Sequence, residues 1–457
     1  MIVKSNNETQ GFGYLQKKTF SPPQLIILIF FTLIFIGSIL LILPISSSTG
    51  ESIGLMNAVF TAISAVCVNG LTIINIGEDL SFFGQVIIML LVQIGGLGFM
   101  SLSVMIAIVL GKKIGLKERL LIQHTTQAAS AQGLVKLSIY IITIVLTFEL
   151  IATLILTLHW QSALGFERAL FEAFFYSISA FNNAGFALQD IGLVSHVGDP
   201  VVNLTLTTLI IAGGLGYIVI VELIRKRNWK TLSLHSKIVI SASIAITLIT
   251  FTVIFLLESL NVNTFGHLST GERIQAAWFQ SIVPRSAGFN TIDISALLPA
   301  TQFIMIILMF IGAASGGTGG GVKINTIVVL MLATLATFRG GGQVKAFKRG
   351  IAIDSILRAL AVVISSLLCV VLITLLLTLT ENLNDYSFIT ILFEATSAFS
   401  TTGLSLGLTK FLSDPGKVII AITMFIGRLG PLTLAYALAH RKSNTRMTYP
   451  NDNIMIG

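Results

Sequence analysis

The sequence predicts an all-α polytopic membrane protein, built from four tandem repeats set about one axis with pseudo-four-fold symmetry. Composition is the first observation: 54% of residues are hydrophobic and 11% charged, with mean hydropathy +0.91. Soluble domains carry roughly 25% charged residues, so most of this chain belongs in lipid. The second is a recurring glycine motif. Val66-Cys67-Val68-Asn69-Gly70 follows Ser64-Ala65, and Ser179-Ala180-Phe181-Asn182-Asn183-Ala184-Gly185 keeps the spacing. Ser397-Ala398-Phe399-Ser400-Thr401-Thr402-Gly403 keeps it again, and Pro284-Arg285-Ser286-Ala287-Gly288-Phe289 is the divergent member. The glycine intervals are 115, 103 and 115 residues, close to a quarter of the 457-residue chain. The third is that 21 of the 28 Lys and Arg residues fall in five clusters separated by apolar stretches.

Taken in order, residues 1–21 are polar and read as a cytoplasmic N-terminus. Pro22-Pro23 opens a spanning helix that ends near Pro44, proline being tolerated in a first helical turn. This apolar run is too long for a signal-peptide core, so it reads as a retained helix. The apolar segment at 55–66 reaches only about 18 Å as a helix, against a hydrocarbon core of about 30 Å, so it should enter the membrane and turn back at Gly70. A long stretch at 82–111 then crosses to Lys112-Lys113. The same order recurs at 135–158, 168–181, Gly185 and 200–224; at 237–260, 271–283, Gly288 and 301–338; and at 355–380, 386–398, Gly403 and 416–440. The repeats are therefore placed at 22–118, 119–230, 231–350 and 351–440, with a cytoplasmic tail at 441–457. Two spans in each of four repeats give eight full spans.

The basic clusters around Lys17-Lys18, Lys112-Lys113, Arg225-Lys226-Arg227, Lys348-Arg349 and Arg441-Lys442 all fall on one side of that topology. The positive-inside rule makes it the cytoplasm, with both termini there. The formal charge of +8 thus reflects membrane orientation rather than nucleic-acid binding. Acidic residues gather in the opposite loops, either as a vestibule that concentrates cations or as solvated surface. Cys67 and Cys369 form no disulfide or metal pattern, and the six histidines make no ligand cluster.

Four half-helices ending on glycine turns suit a cation pathway through a central pore. Non-helical backbone at membrane depth is tolerated where protein or a water-filled path satisfies it. Rings of carbonyl oxygens can then replace the hydration shell of a passing ion. Each half-helix would point a C-terminus carrying about −0.5 elementary charge at the axis. No carboxylate adjoins any of the four glycines. A single such glycine would read as a loop turn or close helix packing; four in register do not.

The order of spanning helix, pore helix, filter and spanning helix, four times over, resembles the Trk/Ktr/HKT superfamily of cation transporters. Residues 93–100 (Gln-Ile-Gly-Gly-Leu-Gly-Phe-Met), 111–119, 179–186, 284–290 and 424–433 are similar to the bacterial Ktr-type potassium uptake membrane subunit. The resemblance covers essentially the whole chain. It implies potassium uptake through a gated pore in the bacterial plasma (inner) membrane, sodium as activator and no covalent cofactor. It also implies homodimers, and a cytoplasmic nucleotide-binding ring of RCK/KTN type that carries ATP or ADP. On this chain the implied filter is Val68, Asn69 and Gly70; Asn183, Ala184 and Gly185; Ser286, Ala287 and Gly288; Thr401, Thr402 and Gly403, with K+ at the glycine carbonyls. Glycine at the first position favours potassium, whereas sodium-selective relatives often have serine. Asn69 departs from the usual threonine; its amide could replace a hydroxyl at the pore edge, which leaves the potassium-to-sodium preference open.

The stretch 301–338 is longer than a span requires, and its middle reads Gly312-Ala313-Ala314-Ser315-Gly316-Gly317-Thr318-Gly319-Gly320-Gly321. Six glycines in ten residues oppose a stable helix. Lys323 lacks the flanking residues and the preceding strand of a phosphate loop. Small-residue helix packing is the alternative, but a flexible intramembrane loop fits better. The resemblance makes it a gate beneath the filter, with Lys323 beside it. Arg428, about 15 Å into the last helix, is expensive at that depth. It reads either as a structural partner of a buried carbonyl or carboxylate, or as a gate residue bonding loop carbonyls. Glu172, Glu394 and Arg285 stay open between packing, cation attraction and filter bracing.

Rival functions are a sodium-coupled or sodium-permeable symporter and a membrane enzyme. Coupled carriers usually show two-fold repeats, and no nucleophile–base set supports an enzyme. The cytoplasmic charges of 339–349 suit the regulatory ring or anionic lipid.

Overall fold

The computed structural model describes residues 22–109, 131–189, 192–381, 386–431 and 434. Among them it holds 15 α-helices and one two-stranded hairpin, Lys345–Ala346 paired with Arg349–Gly350. Four stretches share one order of elements. The first has α1 (Pro22–Ile42), α2 (Leu55–Cys67), the single turn α3 (Ile76–Asp79) and α4 (Phe82–Val109). The second has α5 (Ala131–Leu164), α6 (Phe166–Phe181), α7 (Pro200–Leu215) and α8 (Tyr217–Lys226). The third has α9 (Leu234–Glu258), α10 (Thr270–Ile282), α11 (Pro299–Phe310) and α12 (Ile324–Phe338). The fourth has α13 (Ile353–Thr380), α14 (Phe388–Phe399) and α15 (Asp414–Leu429).

Burial separates the two kinds of helix. The short helices α2, α6, α10 and α14 have 12 to 16 residues, too few to cross about 30 Å of hydrocarbon. They carry the large buried aromatics Phe60, Phe175, Phe181, Phe279, Phe393 and Phe399. The long helices instead expose apolar side chains, Phe31, Leu150, Ile249 and Leu368 among them, as a lipid-facing surface requires. Local signals fix the helix starts. Ser269 and Glu272 form a capping box on α10, Asp199 caps α7 ahead of Pro200, and Ser413 caps α15.

Segments Leu137–Leu164, Leu234–Glu258 and Ile353–Thr380 are long and apolar enough to span as single helices. A fourth candidate, α7 with α8, is bent by 98°. A glycine breaks or ends the helix that follows each motif glycine, where the sequence suggested a glycine break in the third stretch alone. Gly98 (φ 70°) breaks α4, Gly216 (φ 90°) separates α7 from α8, and Gly430 (φ 80°) ends α15. In the third stretch residues 311–323 form the break. These glycines hold a left-handed backbone that other residues resist. The expected helices at 82–111, 200–224 and 416–440 are therefore shorter pieces. Parts of the first and last of those ranges lie outside the described residues.

Candidate functional site

The four motif glycines come together. All have left-handed backbone, with φ 95° at Gly70, 71° at Gly185, 72° at Gly288 and 85° at Gly403. Two residues before each, Val68, Asn183, Ser286 and Thr401 also have positive φ, between 49° and 71°. Their contacts close a cycle. A β-carbon at Gly70 would strike the Ala184 carbonyl oxygen, and one at Gly185 would lie 2.6 Å from Gly288 Cα. One at Gly288 would lie 2.5 Å from Thr402 O, and one at Gly403 would strike Asn69 O. Each turn thus abuts the carbonyl that precedes the next glycine in chain order, and the fourth returns to the first.

Side-chain bonds fix the turns. Gly70 N–H donates to Ser64 Oγ (3.1 Å), and Ser179 Oγ donates to Phe186 O (2.9 Å). Ser286 Oγ donates to Thr401 O (2.8 Å), joining the third turn to the fourth. The Asn69 amide, expected from the sequence to face a pore, is turned into the protein. It is buried, donates to Ala398 O (3.0 Å) and accepts from Leu71 N–H (3.2 Å), so it caps the C-terminus of α14. Arg285 reaches Thr247 Oγ1 on α9 (2.8 Å), which ties the third turn to a long helix. Glu172 pairs with Arg168 (2.8 Å), and Glu394 accepts from Ser405 Oγ (2.9 Å) and Thr409.

Above the glycines lies a cavity of about 290 Å³ whose floor includes all four. Among the described residues its charged lining is one acid, Asp293, and one base, Lys410. Asp190 lies outside the described residues.

The glycine-rich segment lies on the other side of the turns. Gly320 N–H donates to Ser286 Oγ (2.9 Å), and Thr318 Oγ1 is 3.4 Å from Phe181 O. The Asn183 amide oxygen, oriented to satisfy its neighbours, lies 3.2 Å from the same hydroxyl. Backbone bonds from Ala314 N to Gly214 O (3.0 Å), Thr318 N to Gly213 O (3.2 Å) and Tyr217 N to Gly316 O (3.0 Å) dock the loop on the α7–α8 break. Ser315 Oγ donates to Asn325 (2.9 Å), and Lys323 Nζ donates to Gly319 O (2.5 Å). The expectation of a flexible loop gives way here to a hydrogen-bonded one. Gly316 and Gly321 supply positive φ. Gly312, Gly317, Gly319 and Gly320 have no room for a β-carbon, so their glycines serve close approach. Half-buried Arg428 donates to Thr318 O on the loop and to Gly95 O on α4.

Sequence reasoning missed a second repeated motif. Gly95-Gly96-Leu97-Gly98, Gly213-Gly214-Leu215-Gly216 and Gly427-Arg428-Leu429-Gly430 mark the helix breaks. A β-carbon on the first glycine of each would strike the carbonyl oxygen of Val66, Phe181 or Phe399 respectively. Each of those carbonyls lies four residues before a motif glycine. Glu149, buried mid-way along α5, and Glu258, buried at the end of α9, were missed as well; a lone acid inside an apolar span is the signal that finds the first.

Comparison with known proteins agrees with this architecture. The family model described as TrkH, cation transport protein, matches residues 16–446. The chain is 42% identical to Ktr system potassium uptake protein B of Bacillus subtilis over 96% of its length and 97% of that protein. It is 37% identical to the potassium/sodium uptake protein NtpJ of Enterococcus hirae, over 96% and 98%. The crystal structure of the potassium transporter TrkH from Vibrio parahaemolyticus shares the fold, with TM-score 0.72 and 20% identity, covering 93% of this chain and 86% of that one. The chain belongs to the TrkH family of cation transport proteins.

Proposed function

We propose that the chain is the pore-forming membrane subunit of a potassium uptake system, passing K+ through the ring of Gly70, Gly185, Gly288 and Gly403. The observation that carries this reading is the closed cycle of contacts among the four glycine turns, each ending a half-length helix. Positive φ at the glycine and two residues earlier supports the reading, because such backbone lets carbonyls turn toward one side. Carbonyls so arranged can replace a hydration shell, and four helix C-termini add negative potential without a fixed carboxylate. In this reading the four stretches are repeats around the pore, and each interrupted second helix counts as a span, which makes eight.

The loop 312–321 is the gate, with Lys323 at its base and Arg428 as its latch. The chain works in the bacterial plasma membrane with both termini cytoplasmic. It acts as a homodimer on a cytoplasmic nucleotide-binding ring, with sodium as activator. The potassium uptake proteins of Bacillus subtilis and Vibrio alginolyticus support the choice of ion.

A second reading, shared potassium and sodium uptake, is favoured by the printed function of the Enterococcus hirae relative. Proteoliposomes holding this chain, with and without its regulatory ring, separate the two under an imposed voltage. Saturable flux that prefers potassium and is lost in Gly288→Val supports the first reading, and equal fluxes support the second. No flux even with the ring present refutes both.

A further inference from the structure

Glu149 lies mid-way along α5 and is 1% exposed. Two other elements converge on it. Gln93 Nε2 on α4 donates to one carboxylate oxygen (3.2 Å), and Asn182 Nδ2, at the C-terminus of α6, donates to the other (3.2 Å). The same Asn182 amide lies 2.7 Å from Gln93 Oε1 and 2.9 Å from Ile178 O. Among the described residues no Lys or Arg is paired with this carboxyl group. A carboxyl group at such depth, held only by neutral amides, is costly to keep unless its bonds do something.

What those bonds hold is the second glycine turn. Asn182 directly precedes Asn183, whose φ is 58°, and Ala184, whose carbonyl abuts Gly70. Gly96 on α4 packs so closely on the Asn182 side chain that a β-carbon there would overlap it. The adjacent Gly95 accepts from Arg428. The Glu149–Gln93–Asn182 cluster therefore clamps the second turn against the helix of the first stretch that also receives the Arg428 guanidinium. The first and third turns are anchored to the fourth stretch by Asn69 and Ser286; the second has this carboxyl group.

We propose that Glu149 is a positioning residue for the second filter turn, setting cation selectivity by fixing Asn182 and hence the Asn183 and Ala184 carbonyls. This inference rests on the glycine ring being the filter. Its function is hydrogen-bond acceptance at both oxygens, so an amide, which keeps one acceptor and turns a donor toward the other partner, should serve in part and an apolar side chain not at all.

The test compares the wild-type chain with Glu149→Gln, Glu149→Leu and Gln93→Leu in proteoliposomes, measuring the potassium-to-sodium flux ratio and, separately, thermal stability in detergent. Losing a buried acceptor costs enough to shift the ratio by about five- to tenfold, so Glu149→Leu should lower it by that factor. Glu149→Gln, which keeps one of the two acceptors, should lower it by a smaller factor. Gln93→Leu, which keeps Glu149 and Asn182, should fall between, and it carries the test if Glu149→Leu does not fold. Leucine variants that melt earlier but keep the wild-type ratio would overturn the proposal and leave a purely structural role. Loss of selectivity in Glu149→Gln as large as in Glu149→Leu would overturn it in favour of a charge effect. A wild-type chain with no selective flux would instead refute the filter reading beneath it.

Discussion

Removing the Arg428 guanidinium should open the pathway at rest. Arg428 donates to Thr318 O on the glycine-rich loop and to Gly95 O on α4. Both acceptors are backbone carbonyls, so the side chain can be removed without altering either. Hydrogen bonds from a charged donor contribute about 1.5–3 kcal/mol each. The two share one donor group and will not add fully, so about 3 kcal/mol is a reasonable total for the closed arrangement. That energy corresponds to a shift of roughly 100-fold in a closed-to-open equilibrium. Arg428→Ala should therefore raise basal rubidium tracer flux, measured without the regulatory ring, by up to that factor. Arg428→Lys, a point charge that lacks the guanidinium fork, should give an intermediate leak. A monodisperse Arg428→Ala protein with wild-type basal flux would refute the latch and leave Arg428 as a packing residue.

Four further outcomes follow from other positions. Gly427→Ala forces a β-carbon onto Phe399 O and should destabilise by about 1–3 kcal/mol, read as an earlier thermal transition in detergent. Gly271→Ala, with open space at its β-position, should be neutral or slightly stabilising. Glu258 is fully buried and accepts from Asn261 (2.7 Å), Thr264 (2.7 Å), Leu298 N–H (3.1 Å) and Thr301 (2.5 Å). Glu258→Ala strands those donors and should cost about 2–3 kcal/mol, with Glu258→Gln milder in the same melting assay. Asn69→Leu leaves Ala398 O without its amide donor and should change the potassium-to-sodium flux ratio by about fivefold, whereas an unchanged ratio would separate Asn69 from selectivity.

Much of this architecture is written in the sequence because glycine spacing and helix length are local properties. The turns at Gly70, Gly185, Gly288 and Gly403 are marked by their intervals, and the half-helices by runs too short to span. The loop at 312–321 is marked by composition. What composition misjudged is its state: glycines read as loosening the chain, but at 312 and 317 they allow backbone to approach backbone, and at 319 and 320 they make room for the side chains of Ala313, Ser286 and Thr401. The breaks at Gly98, Gly216 and Gly430 escaped notice because hydropathy runs smoothly across them and isolated glycines are common in spanning helices. Their three-fold Gly-x-Leu-Gly pattern was available, but it becomes meaningful only beside the carbonyls of Val66, Phe181 and Phe399. Asn69 shows the opposite limit. Its position in the motif is legible, but its bond to Ala398 joins residues 329 positions apart, and no local pattern predicts it.

The most direct test of the central claim is to locate the ion. Crystals of the protein grown in rubidium, or frozen particles imaged in a dense monovalent cation, would show where a potassium analogue rests. The account predicts a peak on the axis of the four turns, coordinated by carbonyl oxygens of the residues around Gly70, Gly185, Gly288 and Gly403. A ring left empty while the ion sits elsewhere, for example beside Glu149 or in the cavity near Asp293, would contradict it.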